Sequence, residues 1–432
     1  MIEWSEQHRM IRDAVRRFVE AEVVPRVEEL EHGDLPPYDI LRKLISSFGM
    51  DELARARFRK QIEREQGREA GAQRAGAPVE LGHAERSAGP REGGRASEAD
   101  AAAGRGDGVA LQLIPIIELC RHCPGLVTAM GVSMGLTAAA ILSKGTTRQK
   151  ERWALPLLTF EKIGAWAITE PGSGSDAFGS MKSTARRDGH GGYVLNGSKT
   201  FITNGPWADI IVFICKLDEP EIPPAARRVL TFVVEKGAAG LEQSKPMRKM
   251  GLHSSPTGEL FLRDVHVGPE HLLGENEQAR ESKAGARATF SIERSGVAAM
   301  ALGIVERCLE LSLRYARERV QFGRPIGEFQ LIQDKLARME VARMNLQNLV
   351  FRTIELAEAG RQPSLAEASA MKLYAARAAM EVALEAVQVH GGNGYMAEYH
   401  VEQLCRDAKV LQIYAGTDEI QISAIARDLL SR

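Results

Sequence analysis

The spacing of apolar residues changes twice along this chain, and that change constrains the fold more than any single motif. In the first part, apolar residues recur three and four positions apart, as on one face of a helix. From about Ala165 the period shortens to that of strands, and after Leu273 it lengthens again. The order predicts an α+β multidomain protein: residues 1–164 helical, 165–272 a β domain, and 273–432 helical. A length of 432 residues suits two or three domains.

Within the first region, Val15 and Phe18 share one side of a charged segment and Pro25 falls near a turn. Ile40, Leu41, Leu44, Ile45 and Phe48 recur at helical spacing before Gly49. Between Gly67 and Gly108 the composition shifts to Gly, Ala, Arg and Glu, with Val79 and Leu81 the only large aliphatics. Such a segment buries too little apolar surface to offset its ordering entropy and reads as a flexible insertion without chemistry. Helical patterning resumes from Val109 to Leu142.

In the β region, Tyr193–Leu195 and Ser198–Thr203 flank Asn196-Gly197, which predicts a hairpin with a type I′ turn. Further strands are expected over Ile210–Leu217, Leu230–Lys236 and Glu259–Val267. In the last region Val297, Ala301, Ile304, Cys308, Leu311 and Tyr315 form one stripe. Ile332–Ala359 and the Ala-rich Leu365–Val389 predict two more long helices.

Basic residues number 56 and acidic ones 57, which leaves no protein-wide field for a nucleic acid. The N-terminus is charged throughout and has no apolar core of a secretory signal. No apolar run is expected to approach the length that spans a bilayer. The five cysteines are scattered, which suits a reducing compartment better than a disulfide framework. The expectation is a soluble cytoplasmic protein.

Neither a P-loop nor a strand-associated GxGxxG occurs. Cys120-Arg121-His122-Cys123 has the spacing of half a metal or redox site, but no second pair follows, and two small residues at a helix turn explain it better. No metal site is expected. Thr169–Asp176 is a small-residue loop that can bring N–H groups and hydroxyls to a ligand, or simply connect elements. Gly391-Gly392-Asn393-Gly394 follows a long helix and has an ordinary reading as its C-cap; His390 beside it reads as a helix-end residue. Glu293 precedes Val297 by four and Ile304 by eleven, so its carboxylate shares the buried stripe, near the helix N-terminus. It is either a first-turn residue in the helix dipole or paired with Arg294, or a carboxylate in an apolar pocket with a raised pKa.

Taken together, several ordered segments resemble the acyl-CoA dehydrogenase family. They are Ala165–Asp176 (AWAITEPGSGSD), Gly197–Gly205 (GSKTFITNG), Arg317–Gly327 (RERVQFGRPIG), Gln388–Tyr395 (QVHGGNGY), Arg406–Lys409 (RDAK), and Ile413-Tyr414 with Gly416-Thr417. The resemblance runs from about Val109 to the end and more loosely over the first 60 residues; the segment from Gly67 to Gly108 has no recognised counterpart. It implies an N-terminal helical domain, a middle β domain and a C-terminal four-helix bundle, assembled as a homo-oligomeric dimer of dimers, with FAD as cofactor. By resemblance, Ile168 and Thr169 lie against the flavin, with Phe201 and Thr203 on its other flank. Arg319, Gln321, Phe322, Gln330, Gln388 and Gly392 serve the FAD of a neighbouring subunit, and Thr417 and Glu419 touch the cofactor near the end of the chain. Ser175 contacts CoA, and Arg294, Tyr414 and Ala415 complete the substrate side.

The implied reaction is α,β-dehydrogenation of an acyl-CoA thioester to the trans-2-enoyl-CoA, with electrons passing to an electron-transfer flavoprotein. Many members carry the catalytic Glu where this chain has Ala415. A subgroup similar to the isovaleryl-CoA and long-chain enzymes places it on the helix that opens the C-terminal bundle, at the position of Glu293, and the Ala415 N–H then still helps to bind the thioester carbonyl. The alternatives are a related flavin oxidase or N-hydroxylating monooxygenase, and a non-catalytic protein on the same fold.

Overall fold

The structure, a computed structural model, describes residues 3–33, 35–75, 95–277 and 283–432. Nine helices open the chain among these residues: α1 (Glu6–Phe18), α2 (Val27–His32), α3 (Tyr38–Ser47), α4 (Met50–Ala75), α5 (Arg95–Cys120), α6 (Pro124–Met130), α7 (Ala138–Lys144), α8 (Thr147–Gln149) and α9 (Leu155–Leu158). Ser5 caps α1, its hydroxyl accepting the His8 N–H at 3.2 Å. Gly49, with φ 59°, ends the α3 segment in the left-handed conformation.

The structure corrects two expectations here. Residues 67–75 and 95–108 are not an insertion loop but extend α4 and α5, because Ala, Glu and Arg continue a helix well even where they cannot build a core. Residues 76–94 lie outside the described residues. Second, Pro124–Lys144 forms a 21-residue helical run apolar enough to cross a membrane by length and composition. Half of its most apolar window is buried inside the protein, where the run packs against α5 and Gly164–Ala167. Its π-helical stretch, Gly131–Thr137, carries Ser133, whose hydroxyl accepts the Gly164 N–H at 2.9 Å.

A seven-stranded sheet follows, built from β1 (Gly164–Ala167), β2 (Thr184–Arg187), β3 (Tyr193–Thr203), β4 (Ile210–Leu217), β5 (Val229–Glu235), β6 (Leu241–Gln243) and β7 (Thr257–Val267). The order is β1-β4-β2-β3-β7-β6, with β5 on the other edge of β4. β4 runs parallel to β1 and β2 and antiparallel to β5. All of β4 is buried: Ile210–Cys215 is an apolar run, and Lys216 places its ammonium on Gly179 O at 2.9 Å. Ile211, Phe213 and Cys215 point into one core with Leu195, Phe232 and Leu260; Ile210, Val212 and Ile214 point into the other, against Trp153, Ile141 and Leu157 of the helical region.

The predicted hairpin is also corrected. Tyr193–Thr203 is one strand with its register shifted between Leu195 and Gly197. The extra residue is on β7, where Arg263 and Asp264 stand opposite Asn196: Asn196 Nδ2 donates to Asp264 Oδ1 at 3.0 Å, and its Oδ1 accepts the Asp264 N–H at 2.9 Å. A Cβ on Gly197 would collide with Ser183, so glycine serves a close approach here and not a turn.

The chain then returns to helix: α10 (Lys283–Glu318), a small β8–β9 ribbon (Val320–Gln321, Arg324–Pro325), α11 (Gln330–Glu358), α12 (Leu365–His390), α13 (Val401–Lys409) and α14 (Asp418–Leu430). Ser364 and Glu367 form a reciprocal capping box that starts α12. Gly391 ends it with φ 58°. Val297, Ala301, Ile304, Cys308 and Leu311 are buried among α5, α11 and α12, as their spacing predicts.

Asn204 ties the helices to the sheet. It is fully buried with φ 64°, and its Nδ2 donates to Ala129 O and Gly164 O, each at 2.9 Å. Its Oδ1 accepts the Tyr38 hydroxyl at 3.2 Å. Asn204→Ala leaves two carbonyls and a phenol unpaired, and thermal or urea unfolding should show a loss of about 2–4 kcal/mol. A loss below about 0.5 kcal/mol would show the contacts to be dispensable.

Candidate active site

Glu293 lies four residues before Val297 and shares the face that Val297, Ala301 and Ile304 bury. Because α10 begins at Lys283, Glu293 sits nearly three turns inside it. Its expected placement near the helix N-terminus, and the dipole role that goes with it, are corrected. Burial pushes its carboxyl up to about 7, against the opposing pull of the Arg294 and Lys372 cations. Arg294, also buried, donates from Nη1 to Ser369 Oγ on α12 at 2.8 Å.

The turn Tyr414–Gly416 packs against this part of α10. The Tyr414 hydroxyl donates to Met300 Sδ at 3.3 Å, and burial, with smaller contributions that include the Glu293 charge, raises its pKa. A methyl group built on Gly416 would stand 3.5 Å from Arg294 Nη2. Ala415 and Gly416 are both left-handed, with φ 52° and 86°, and for the alanine that conformation costs about 1 kcal/mol. Side chains hold it in place. Gln421 Nε2 donates to Ala415 O at 2.9 Å and to Gly416 O at 2.8 Å. Lys372 Nζ donates to Gly416 O at 2.8 Å. Among the described residues no acceptor meets the Ala415 N–H. Thr417 caps α14, accepting the Ile420 N–H at 3.4 Å, and Glu419 is exposed in the first turn of that helix.

Lys372 and Gln421 are functional candidates that motif reading misses. Lys372 does carry a signal: it stands three residues after Ser369 and four before Ala376, a cation on the buried stripe of an Ala-rich helix.

The other expected residues fall into two groups. Ile168 and Thr169 follow β1, while Phe201 and Thr203 end β3. The Thr200 N–H joins the two segments through Thr169 O at 3.0 Å. The fully buried Lys199 donates to Ile168 O at 3.0 Å and to Glu170 Oε1 at 2.9 Å. Burial raises the Glu170 carboxyl, but hydrogen bonds from Ser183 and Lys182 and the Lys199 ammonium outweigh it and hold the group below its usual range. This scaffold displays Phe201 at φ 57° with 67% of its surface exposed. Ser175 is exposed in the loop after Glu170.

Arg319, Gln321, Phe322, Gln330, Gln388 and Gly392 are all exposed, around the ribbon after α10 and the far end of α12. Phe322 is 95% exposed with φ 52°. No hydrogen bond or ring contact among the described residues joins these to Ile168–Thr203. His390 is buried, donates from Nδ1 to Ala386 O at 2.8 Å and stacks on Tyr315. Cys120 and Cys123 are buried at the α5–α6 junction, where Cys123 Sγ donates to Ser254 Oγ at 3.1 Å.

Three domains of one family match the chain in order: the acyl-CoA dehydrogenase N-terminal domain at residues 5–75 and 96–161, the middle domain at 165–265, and the C-terminal domain at 284–430. The N-terminal match includes residues 67–75 and 96–108, so those flanks have a counterpart in the family after all. The chain is 34% identical over 430 residues to a 3-(aryl)acrylate reductase of Clostridium sporogenes, covering 99% of each. It is 36% identical over 326 residues to a mitochondrial isovaleryl-CoA dehydrogenase of Oryza sativa, 76% of this chain and 78% of the relative. An acyl-CoA dehydrogenase from Bacillus anthracis solved in complex with FAD superposes with a TM-score of 0.75 at 29% identity, covering 99% of this chain and 68% of the other. Family members bind FAD. The exposed Phe201 ring and the half-buried, hydroxyl-bearing Thr169 and Thr203 on the joined segments fit a flat heteroaromatic group with polar edges, while the Ile168 side chain is buried in the core beneath. From the fold, the order of its motifs and matches along nearly its whole length, this protein belongs to the acyl-CoA dehydrogenase family of oxidoreductases.

Proposed function

We propose that the protein removes hydrogen from Cα and Cβ of an acyl-CoA thioester, with Glu293 as the base. The observation that carries this reading is a carboxyl tuned to about 7 by burial, beside a turn that has alanine where many relatives have their Glu. A thioester α-hydrogen is weakly acidic, so its removal needs both a base and polarisation of the carbonyl. Glu293 takes the proton on its carboxylate. The free Ala415 N–H donates to the thioester oxygen, and the apolar face of α10 keeps water from the carboxylate. Arg294, Tyr414 and Ser175 line the substrate's path. FAD, held by Ile168, Thr169, Phe201 and Thr203 with Thr417 and Glu419, supplies the hydride acceptor when bound. Arg319, Gln321, Phe322, Gln330, Gln388 and Gly392, exposed in one chain, would complete the FAD site of a second copy in a dimer of dimers. An electron-transfer flavoprotein is the proposed acceptor of the electrons.

A second reading runs the same proton transfer backwards. A carboxyl with a pKa of about 7 is part protonated at neutral pH and can deliver a proton to an enoyl thioester. The reductase name of the Clostridium sporogenes relative favours it.

Anaerobic titration of the FAD-loaded protein with straight and branched saturated acyl-CoAs should bleach the visible flavin band. If none does, and enoyl-CoAs instead reoxidise the reduced protein, the reductive reading replaces the first. Glu293→Gln should slow bleaching by about 100- to 10,000-fold, the usual contribution of a positioned base, with flavin still bound. Because the ionised carboxylate is the active form, the bleaching rate should rise with pH and reach half its maximum near pH 7. A rate flat from pH 5 to 9 would exclude Glu293 as the base.

A further inference from the structure

Lys372 is fully buried in the middle of α12. An ammonium without water is costly unless its donors are used. Its nearest contact is not a carboxylate but the Gly416 carbonyl at 2.8 Å; Asp418 Oδ1 is farther, at 3.8 Å, and Asp418 also accepts from Arg377 Nε at 3.1 Å. The cation therefore grips the main chain of a left-handed turn.

That grip has a directional consequence. With the Ala415 carbonyl on Gln421 and the Gly416 carbonyl shared by Gln421 and Lys372, two successive planar peptides are fixed. The Gly416 dihedrals follow. On the other side the Tyr414 N–H is held on Val410 O at 3.1 Å, so the peptide between, which carries the Ala415 N–H, is held at both ends and its direction is set. Without the clamp, an alanine in this strained region relaxes toward ordinary dihedrals.

We propose that Lys372 is a positioning residue: by clamping the Gly416 carbonyl it aims the Ala415 N–H at the thioester oxygen. The proposal rests on the reading of Glu293 and Ala415 given above. A second effect accompanies it. Lys372 faces Asp418 and Glu419 on α14 and Glu293 and Arg294 on α10; burial lowers its pKa to about 8, with the carboxylates opposing, so it is cationic at neutral pH. Glu293 faces Arg294 and Lys372, and the Lys372 charge favours its ionised form.

The test uses the FAD-loaded Glu293→Gln protein, which binds without turning over. Calorimetry compares butyryl-CoA with S-butyl-CoA, a thioether that lacks the carbonyl. The parent should prefer the thioester, and adding Lys372→Met should reduce that preference about tenfold, the loss of one well-aimed hydrogen bond. Lys372→Gln, which keeps a donor but no charge, should restore part of it. On the Glu293 background both variants should move the half-maximal rate to higher pH, because a cation beside the base is gone. An unchanged preference in Lys372→Met overturns the proposal. Equal binding of thioester and thioether in the parent overturns the Ala415 reading and the proposal with it. Should Lys372→Met fail to fold, the same comparison in Lys372→Gln decides: full preference with an unmoved pH profile overturns the role.

Discussion

A buried side-chain amide must find partners for its donors and its acceptor, and at Asn204 all of them come from different parts of the chain. Tyr38 belongs to α3, Ala129 to α6 and Gly164 to β1, while Asn204 itself directly follows β3. One residue thus fixes how the first helices sit on the sheet. Phe201 and Thr203 lie within three positions of it, so the face they present inherits its orientation from the same bonds. Ser133, accepting the Gly164 N–H from the π-helical stretch, fastens the same strand from a second side.

Two carboxylates in this molecule, the buried Glu170 and the half-buried Glu293, answer desolvation in opposite ways. Glu170 receives N–H groups from Lys182 and Ser183 and an ammonium at 2.9 Å, and these contacts outweigh desolvation. It stays charged and acts as a fastening between the segments after β1 and within β3. Glu293 has the longer-range pull of Arg294 and Lys372 instead, and there desolvation wins. The difference is one of contact geometry: donors at hydrogen-bond distance secure a charge, while cations farther away only moderate its cost. A fastening needs the first arrangement and a proton acceptor near neutral pH needs the second.

The architecture was legible because its cores obey simple periods. Ile210–Leu217 is apolar in the sequence except at Lys216 and is a fully buried strand; the α10 stripe and the long α12 follow helical spacing. Glu293 could be placed on the buried face by its offset from Val297, but not at the right depth, since the turns of α10 before it show no apolar period. Asn196-Gly197 misleads because the same dipeptide suits a type I′ turn and a strand that faces a bulge, and only the Asp264 and Ser183 contacts decide between them. The helical flanks at 67–75 and 95–108 are hidden because low hydrophobicity argues against a core, not against continuing a helix already anchored by one. The Lys372–Gly416 contact joins positions from separate helices, which no local pattern encodes.

The packing of α5 carries a cost in time. Gly303 of α10 lets its backbone approach so closely that a Cβ there would strike Ile117 of α5, and Ala110, Leu113 and Ile117 depend on such neighbours for burial. Those neighbours are translated late. At about 5–20 residues per second, the apolar side of α5 leaves the ribosome on the order of ten to thirty seconds before α10 exists to cover it. During that interval α1 is the part of its native cover already made, and the side meant for α10 stays open, the kind of transient apolar surface that holdase chaperones shield.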